Sequence, residues 1–136
     1  MKNLVSEIVT YLKSQTFSPV PEIRDAYSKK VPTYPMIVVQ EIDNSNRVAL
    51  LGQEILSDLG YQIDIFSKDM VSGGVPVSGV EIVNNLGSAV DAKLQEQYGM
   101  TRTSAVGLPD VNDATVSRLS LRYTGILDVT TDYMYR

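Results

Sequence analysis

The sequence predicts an α+β domain in two layers, a mostly antiparallel sheet of about four strands with two amphipathic helices packed on one face. Three observations carry that reading. Residues 2–14 and 78–98 repeat apolar side chains at helical spacing. Residues 55–66 and 118–128 alternate apolar and polar side chains with the period of a strand. The resulting order, α, β, β, α, β, β, lacks the strict strand–helix alternation of a parallel sheet, and no self-similarity at roughly 20–50 residues marks a repeat protein. With 136 residues against a prior of about 150 per domain, residues 1–136 form one domain.

In the first segment Leu4, Val5, Ile8, Val9 and Leu12 make one buried stripe, with Lys2, Glu7 and Lys13 on the other side. The helix is expected to stop near Thr16, because Pro19 and Pro21 lack an N–H and push their predecessors out of the helical region. A polar connector follows, with room for a short turn of helix around Glu22–Tyr27. Met36–Ile42, with Ile37, Val38 and Val39 β-branched and Pro35 just before it, reads as a buried strand. Asp43-Asn44-Ser45-Asn46 is dense in turn-forming side chains, so the chain is expected to reverse there, with Arg47–Leu51 as a short ribbon ended by Gly52.

Ile55–Phe66 reads as a long half-buried strand. Ser67–Val77, holding Gly73, Gly74 and Pro76, reads as a flexible loop or hairpin tip. Ser78-Gly79-Val80-Glu81 has the form of a capping box, and Ile82, Val83, Leu86, Ala89, Val90 and Leu94 form a stripe ending at Tyr98, where Gly99 suits the left-handed C-terminal position. Residues 101–108 resemble a further strand and 109–113 a turn. The terminal strand alternates Leu119, Leu121, Tyr123, Gly125 and Leu127 with Arg118, Ser120, Arg122, Thr124 and Asp128.

Composition removes much chemistry. There is no His and no Cys, which excludes the usual zinc sites, His-dependent nucleophile systems and redox thiols. The longest apolar run, Met36–Val39, is far below the ~20 residues of a membrane span. The first residues open into an amphipathic pattern rather than a signal peptide, so a cytoplasmic protein is expected. Net charge is −4, and residues 41–69 account for all of it with six acids against two bases. That sign argues against a reader of nucleic acid. Glu41, Asp43, Asp58 and Asp64 are the carboxylates that neighbouring strands would have to bring together for Mg²⁺. Asp64 with Lys68 loosely suggests a nuclease, but the Glu-x-Lys element is missing. Ser72-Gly73-Gly74-Val75 fits neither phosphate-loop spacing. No catalytic, cofactor-binding or metal-binding residue is therefore expected. Eight Tyr against two Phe and no Trp favour half-buried and interfacial aromatic positions. Tyr61 and Tyr123 read as core with a bonded hydroxyl; Tyr34, Tyr133 and Tyr135, with Gly73 and Gly74, read as contacts to another subunit or partner.

Taken in order, the N-terminal helix, Tyr34-Pro35-Met36-Ile37-Val38-Val39-Gln40-Glu41-Ile42-Asp43-Asn44, Gly60-Tyr61-Gln62-Ile63-Asp64-Ile65-Phe66-Ser67-Lys68, the Gly-rich loop, the second helix and Arg122-Tyr123-Thr124-Gly125 resemble the tail terminator, or tail-to-head joining, proteins of long-tailed bacteriophages. The resemblance covers nearly the whole chain and rests on order and spacing. It implies a homo-oligomeric ring, usually a hexamer, that caps the tail tube protein, ends tail elongation and docks on the head connector or neck protein. DNA would pass through without specific binding, and the protein would act in the host cytoplasm during assembly and then at the head–tail junction of the virion. Within that picture Glu41, Asp43, Asp58 and Asp64 would face the opening and repel passing phosphate. A neighbouring neck or head-completion subunit, or a small cytoplasmic binding domain, remains the alternative.

Overall fold

Two hairpin-related long strands dominate the molecule. The computed structural model describes residues 3–109 and 113–135, positions 46, 48–50, 72, 109 and 135 in backbone only. In chain order the elements are α1 (Val5–Ser14), β1 (Glu22–Asp25), β2 (Met36–Leu50), β3 (Gln53–Ser67), β4 (Met70–Ser72), β5 (Val75–Val77), α2 (Gly79–Tyr98), β6 (Thr101–Pro109), β7 (Ser117–Asp128) and β8 (Tyr133–Tyr135). Six strands form one mixed, strongly curled half-barrel sheet in the order β1-β2-β3-β7-β6, with β8 paired to the far end of β7. The fold class holds as α+β with two helices, while the sheet has more strands than the four expected.

Both helices lie on one face and close a single core. Ile8 and Leu12 of α1 and Ile82, Leu86, Val90 and Leu94 of α2 meet Ile37 and Val39 of β2, Tyr61, Ile63 and Ile65 of β3, and Leu121 and Tyr123 of β7. All are buried because the strand period sends every second side chain to the helix side. The ends of the helices are satisfied in ways the sequence announces. Ser78 Oγ accepts the amide of Glu81 at 3.2 Å, and Gly99 closes α2 at φ 63°. At the start of α1, Asn3 Oδ1 accepts the amide of Val5 at 2.8 Å, and the buried Tyr61 hydroxyl accepts that of Leu4 at 3.0 Å, so two of the orphan donors of a helix start are met.

Two expectations are corrected. Glu22–Tyr27 holds no helix turn; Glu22–Asp25 is an edge strand parallel to Met36–Val39, where Ile23 contributes to the core beside Ile37. One apolar residue in four carries no period, so tertiary pairing decides. Nor does the chain reverse at Asp43–Asn46. β2 runs straight through these residues, paired with Ser57–Gly60, and the reversal is at Leu51-Gly52, with φ of 55° and 77°. Pairing along the partner strand outweighs local turn preference, and the polar side chains bond one another instead: Asn44 Nδ2 donates to Glu41 at 3.2 Å and Ser45 Oγ to Asp43. A bulge at Ile42 lets the strand change course. It fits because Gly60 lies opposite; a Cβ there would sit 3.1 Å from Asp43 Cβ and 3.2 Å from Ile42 Cγ1.

Of the two readings of residues 67–77 the hairpin holds: β4 pairs with β5 over residues 70–77 with Gly73 and Gly74 at the tip, φ 59° and 80°. Positive φ at both central positions is the turn that matches the strand twist. The C-terminal residues dock on the chain itself, Tyr133–Tyr135 pairing with Ile126–Asp128. The expected turn at 109–113 falls largely outside the described residues. No described helix is long and apolar enough to cross a membrane.

Candidate functional site

The sheet face away from the helices bears the polar side chains that the core does not use. Across it the register sets Arg24, Val38, Asp64, Ser120 and Val106 in one row, and Gln40, Gln62, Arg122 and Ser104 in the next. No helix covers them, yet Asp64, Gln62 and Ser120 are buried, because the curl draws neighbouring side chains together over the short ones.

A connected network results. Arg118 Nη2 lies 3.2 Å from Asp64 Oδ1, Gln62 Nε2 donates to Asp64 Oδ2 at 3.0 Å, and Arg122 Nε donates to Gln62 Oε1 at 3.2 Å. The Arg118 guanidinium also rests over Phe66, 5.5 Å from its ring centre. At the β1 margin Arg24 Nη2 meets Glu22 Oε1 at 2.7 Å, and its guanidinium donates to the carbonyls of Lys30 and Val31 at 2.8 and 3.3 Å. The Arg24 hydrogen bond holds the Glu22 carboxyl below its usual range, with partial desolvation working against it.

The four carboxylates singled out in the sequence are not brought together. Glu41 pairs with Tyr61 on the helix side, whereas Asp64 and, beyond the bulge, Asp43 and Asp58 are in register with open-face positions. Asp64 is buried against Arg118, and Asp58 accepts from Arg47 Nη1 at 3.0 Å. Asp43, Arg47 and Asp58 flank a depression of about 300 Å³ on the distal half of the hairpin. Among the described residues no three carboxylates converge as a cation site requires. Of the acids in residues 41–69, Asp64 is met by Arg118 from outside the segment and Asp58 by Arg47 from within it.

The remaining candidates divide. Tyr34 is half-buried with Lys68 Nζ 5.3 Å from its ring centre, and Lys68 in turn lies 3.5 Å from Asp113, so this cluster ties the chain to itself. Gly73 and Gly74 are exposed at the β4–β5 tip, and Tyr133 is exposed at the sheet margin. The Tyr135 side chain lies outside the described residues. Tyr61 and Tyr123 are core with bonded hydroxyls, Tyr123 donating to Asp91 Oδ1 at 2.8 Å. Asp91 also accepts from Gln95 at 3.0 Å and Arg102 at 3.1 Å, which fastens the start of β6 to α2.

The sequence reading missed Arg24 and the role of Arg118 and Arg122. The last two were visible as the polar half of a strict alternation; Arg24 had no such signal. The arrangement offers charged, hydrogen-bonding and apolar contact surface. No protein-family model matches the chain, and no curated protein matches it significantly.

Proposed function

We propose that this chain is a ring-forming structural subunit of a long-tailed bacteriophage, a tail terminator that caps the tail tube, ends its elongation and offers a surface to the head connector. What supports the reading is the order and spacing of the sequence segments quoted above over nearly the whole chain, together with a sheet that carries both helices on one face and leaves the other open. A closed ring needs two different surfaces on each subunit, and a sheet with one covered and one bare face and dissimilar margins supplies them. The open face, with Asp64 and Asp58 each met by a guanidinium, suits contact with protein or a lumen through which DNA slides without capture.

The reading is tested by removing the protein during phage assembly and imaging the products. Abnormally long or unattached tails are expected. Normal-length tails beside leaking heads would assign it to a neighbouring neck position instead, and unaltered particles would reject both.

A further inference from the structure

The tip of the β2–β3 hairpin is built against local preference. Leu51 and Gly52 take φ of 55° and 77°, the two-residue turn whose first position normally goes to Asn, Asp or Gly. Yet a leucine stands there with 96% of its surface exposed. The tip lies beyond the last paired residue of β7, where Leu56 is matched with Asp128. A backbone strain that nothing inside the subunit offsets points to use elsewhere. The surrounding arm is acidic: residues 43–58 hold Asp43, Glu54 and Asp58 against Arg47.

A cleft of matching character lies at the β1 margin. It has a volume of about 430 Å³ and opens between α1 and β1, with Val9 and Ile23 as apolar lining and Lys13, Ser28 and Lys30 beside them. Val20, Tyr27 and Val31, each next in sequence to a lining residue, are 82%, 88% and 84% exposed, so apolar surface accompanies the basic side chains. The charge here is opposite to that of the arm. Residues 13–31 hold Lys13, Arg24, Lys29 and Lys30 against Glu22 and Asp25. Glu22 is paired with Arg24, and the Asp25 carboxylate accepts the amide of Tyr27 at 2.9 Å. None of the three lysines meets a carboxylate among the described residues.

A subunit cannot close this contact on itself. Twelve positions of chain separate Val39, where β1 ends, from Leu51, roughly 40 Å at about 3.3 Å per residue. We propose that the Leu51 tip of one copy seats in the α1–β1 cleft of the next, with the acidic arm against Lys13, Lys29 and Lys30. That the occupant is a second copy rests on the ring reading above and on the charge match between the two surfaces. Each copy then gives a knob from one surface and receives one on another, the heterologous contact that a closed ring requires.

Leu51→Gly separates this contact from folding, because the two respond in opposite directions. The subunit should denature at a higher midpoint as the strained φ is relieved. The concentration needed for ring formation should instead rise about tenfold or more, the scale of withdrawing one leucine from a buried contact. Unchanged assembly in that variant would overturn the proposal and leave the ring reading standing. Lys13→Glu with Lys30→Glu, both at exposed positions, should likewise prevent assembly without unfolding the subunit; normal rings from this variant would overturn the charge match and the proposal with it. The contact itself is read by cross-linking, which the absence of cysteine keeps clean. A chain carrying Leu51→Cys and Ser28→Cys, treated with a short bismaleimide, should give covalent multimers up to ring size, whereas Leu51→Cys with Val106→Cys, on the far margin, should not. Rings that cross-link only in the second pairing, or in neither, would overturn the seat in the cleft, the former placing the tip at β6 instead. A strict monomer of the unaltered chain at high concentration in every salt would overturn this proposal and the ring reading together.

Discussion

Leu51 holds φ of 55° at the hairpin tip with 96% of its surface exposed, a conformation that costs an L-residue roughly 1–2 kcal/mol and gains nothing from packing within the subunit. Leu51→Gly should therefore stabilise the subunit by up to about 1 kcal/mol, read as a raised denaturation midpoint; a loss would mean that the tip has packing partners. Leu121, 2% exposed in the core, should cost on the order of 2–5 kcal/mol as Leu121→Ala in the same experiment, and less than about half a kcal/mol would remove β7 from the core. On the open face, Arg118→Ala strands the buried Asp64 carboxylate and should cost about 1.5–3 kcal/mol, more than removal of the exposed Arg47. Alkali reaches the core through tyrosine. Burial pushes the Tyr61 hydroxyl up to about 12, and burial together with the Asp91 carboxylate raises that of Tyr123, whereas the unfolded chain ionises near pH 10. The folded state keeps protons that the unfolded state gives up, so this stability is complete below about pH 10 and is lost as pH climbs toward 12. Tyrosinate absorbance should show these two ionising only with unfolding; early, reversible titration of all eight would contradict their burial.

At the scale of elements, what was legible in the sequence was whatever buries a periodic face. The stripe of α1, the capping box and terminal Gly99 of α2, and the alternations of β3 and β7 follow from one side chain in two or four facing the core, and each element stands where its pattern placed it. β1 could not be read, because Ile23 alone faces the core. The distal half of β2 was misread because Asp43–Asn46 have the chemistry of a turn and are held extended by partners fifteen or so residues away, a distance over which local preference has no say. Glu41 stands apart from Asp43, Asp58 and Asp64 for a related reason: parity along a strand decides the face, and the bulge at Ile42 reverses parity between Glu41 and Asp43. Gly60 is what permits that bulge. Gly60→Val should cost about 1–3 kcal/mol by forcing Asp43 and Ile42 aside, and amide exchange should quicken in residues 43–58 before it does in 61–66; uniform quickening would argue that the hairpin behaves as one stiff unit.

For the whole molecule, charge read along the chain and charge read across the surface give different expectations for assembly. Bare acids gathered round an opening would repel one another strongly where the Debye length is long, about 30 Å at 0.01 M salt. Asp58 and Asp64 are each held by an arginine, whereas Glu41 and Asp43 are bonded to Asn44 and Ser45 and keep their charge. Ring formation, if the proposed reading holds, should therefore depend less steeply on salt, when followed by light scattering, than four bare acids would require. A steep rise in assembly with salt or Mg²⁺ would instead indicate unpaired carboxylates facing each other across subunits. The strand order has a further consequence, in time rather than in space. β7 is wedged between β3 and β6 yet is almost the last strand of the described chain, so a chain growing on the ribosome completes β3 well before the strand that pairs with it exists. The β2–β3 hairpin closes early through sequence-near contacts, with one long apolar edge waiting. Chains halted before residue 117 should be captured by chaperones or aggregate, whereas release of the last strand should trigger cooperative folding, a difference that protease digestion of stalled and released nascent chains would display.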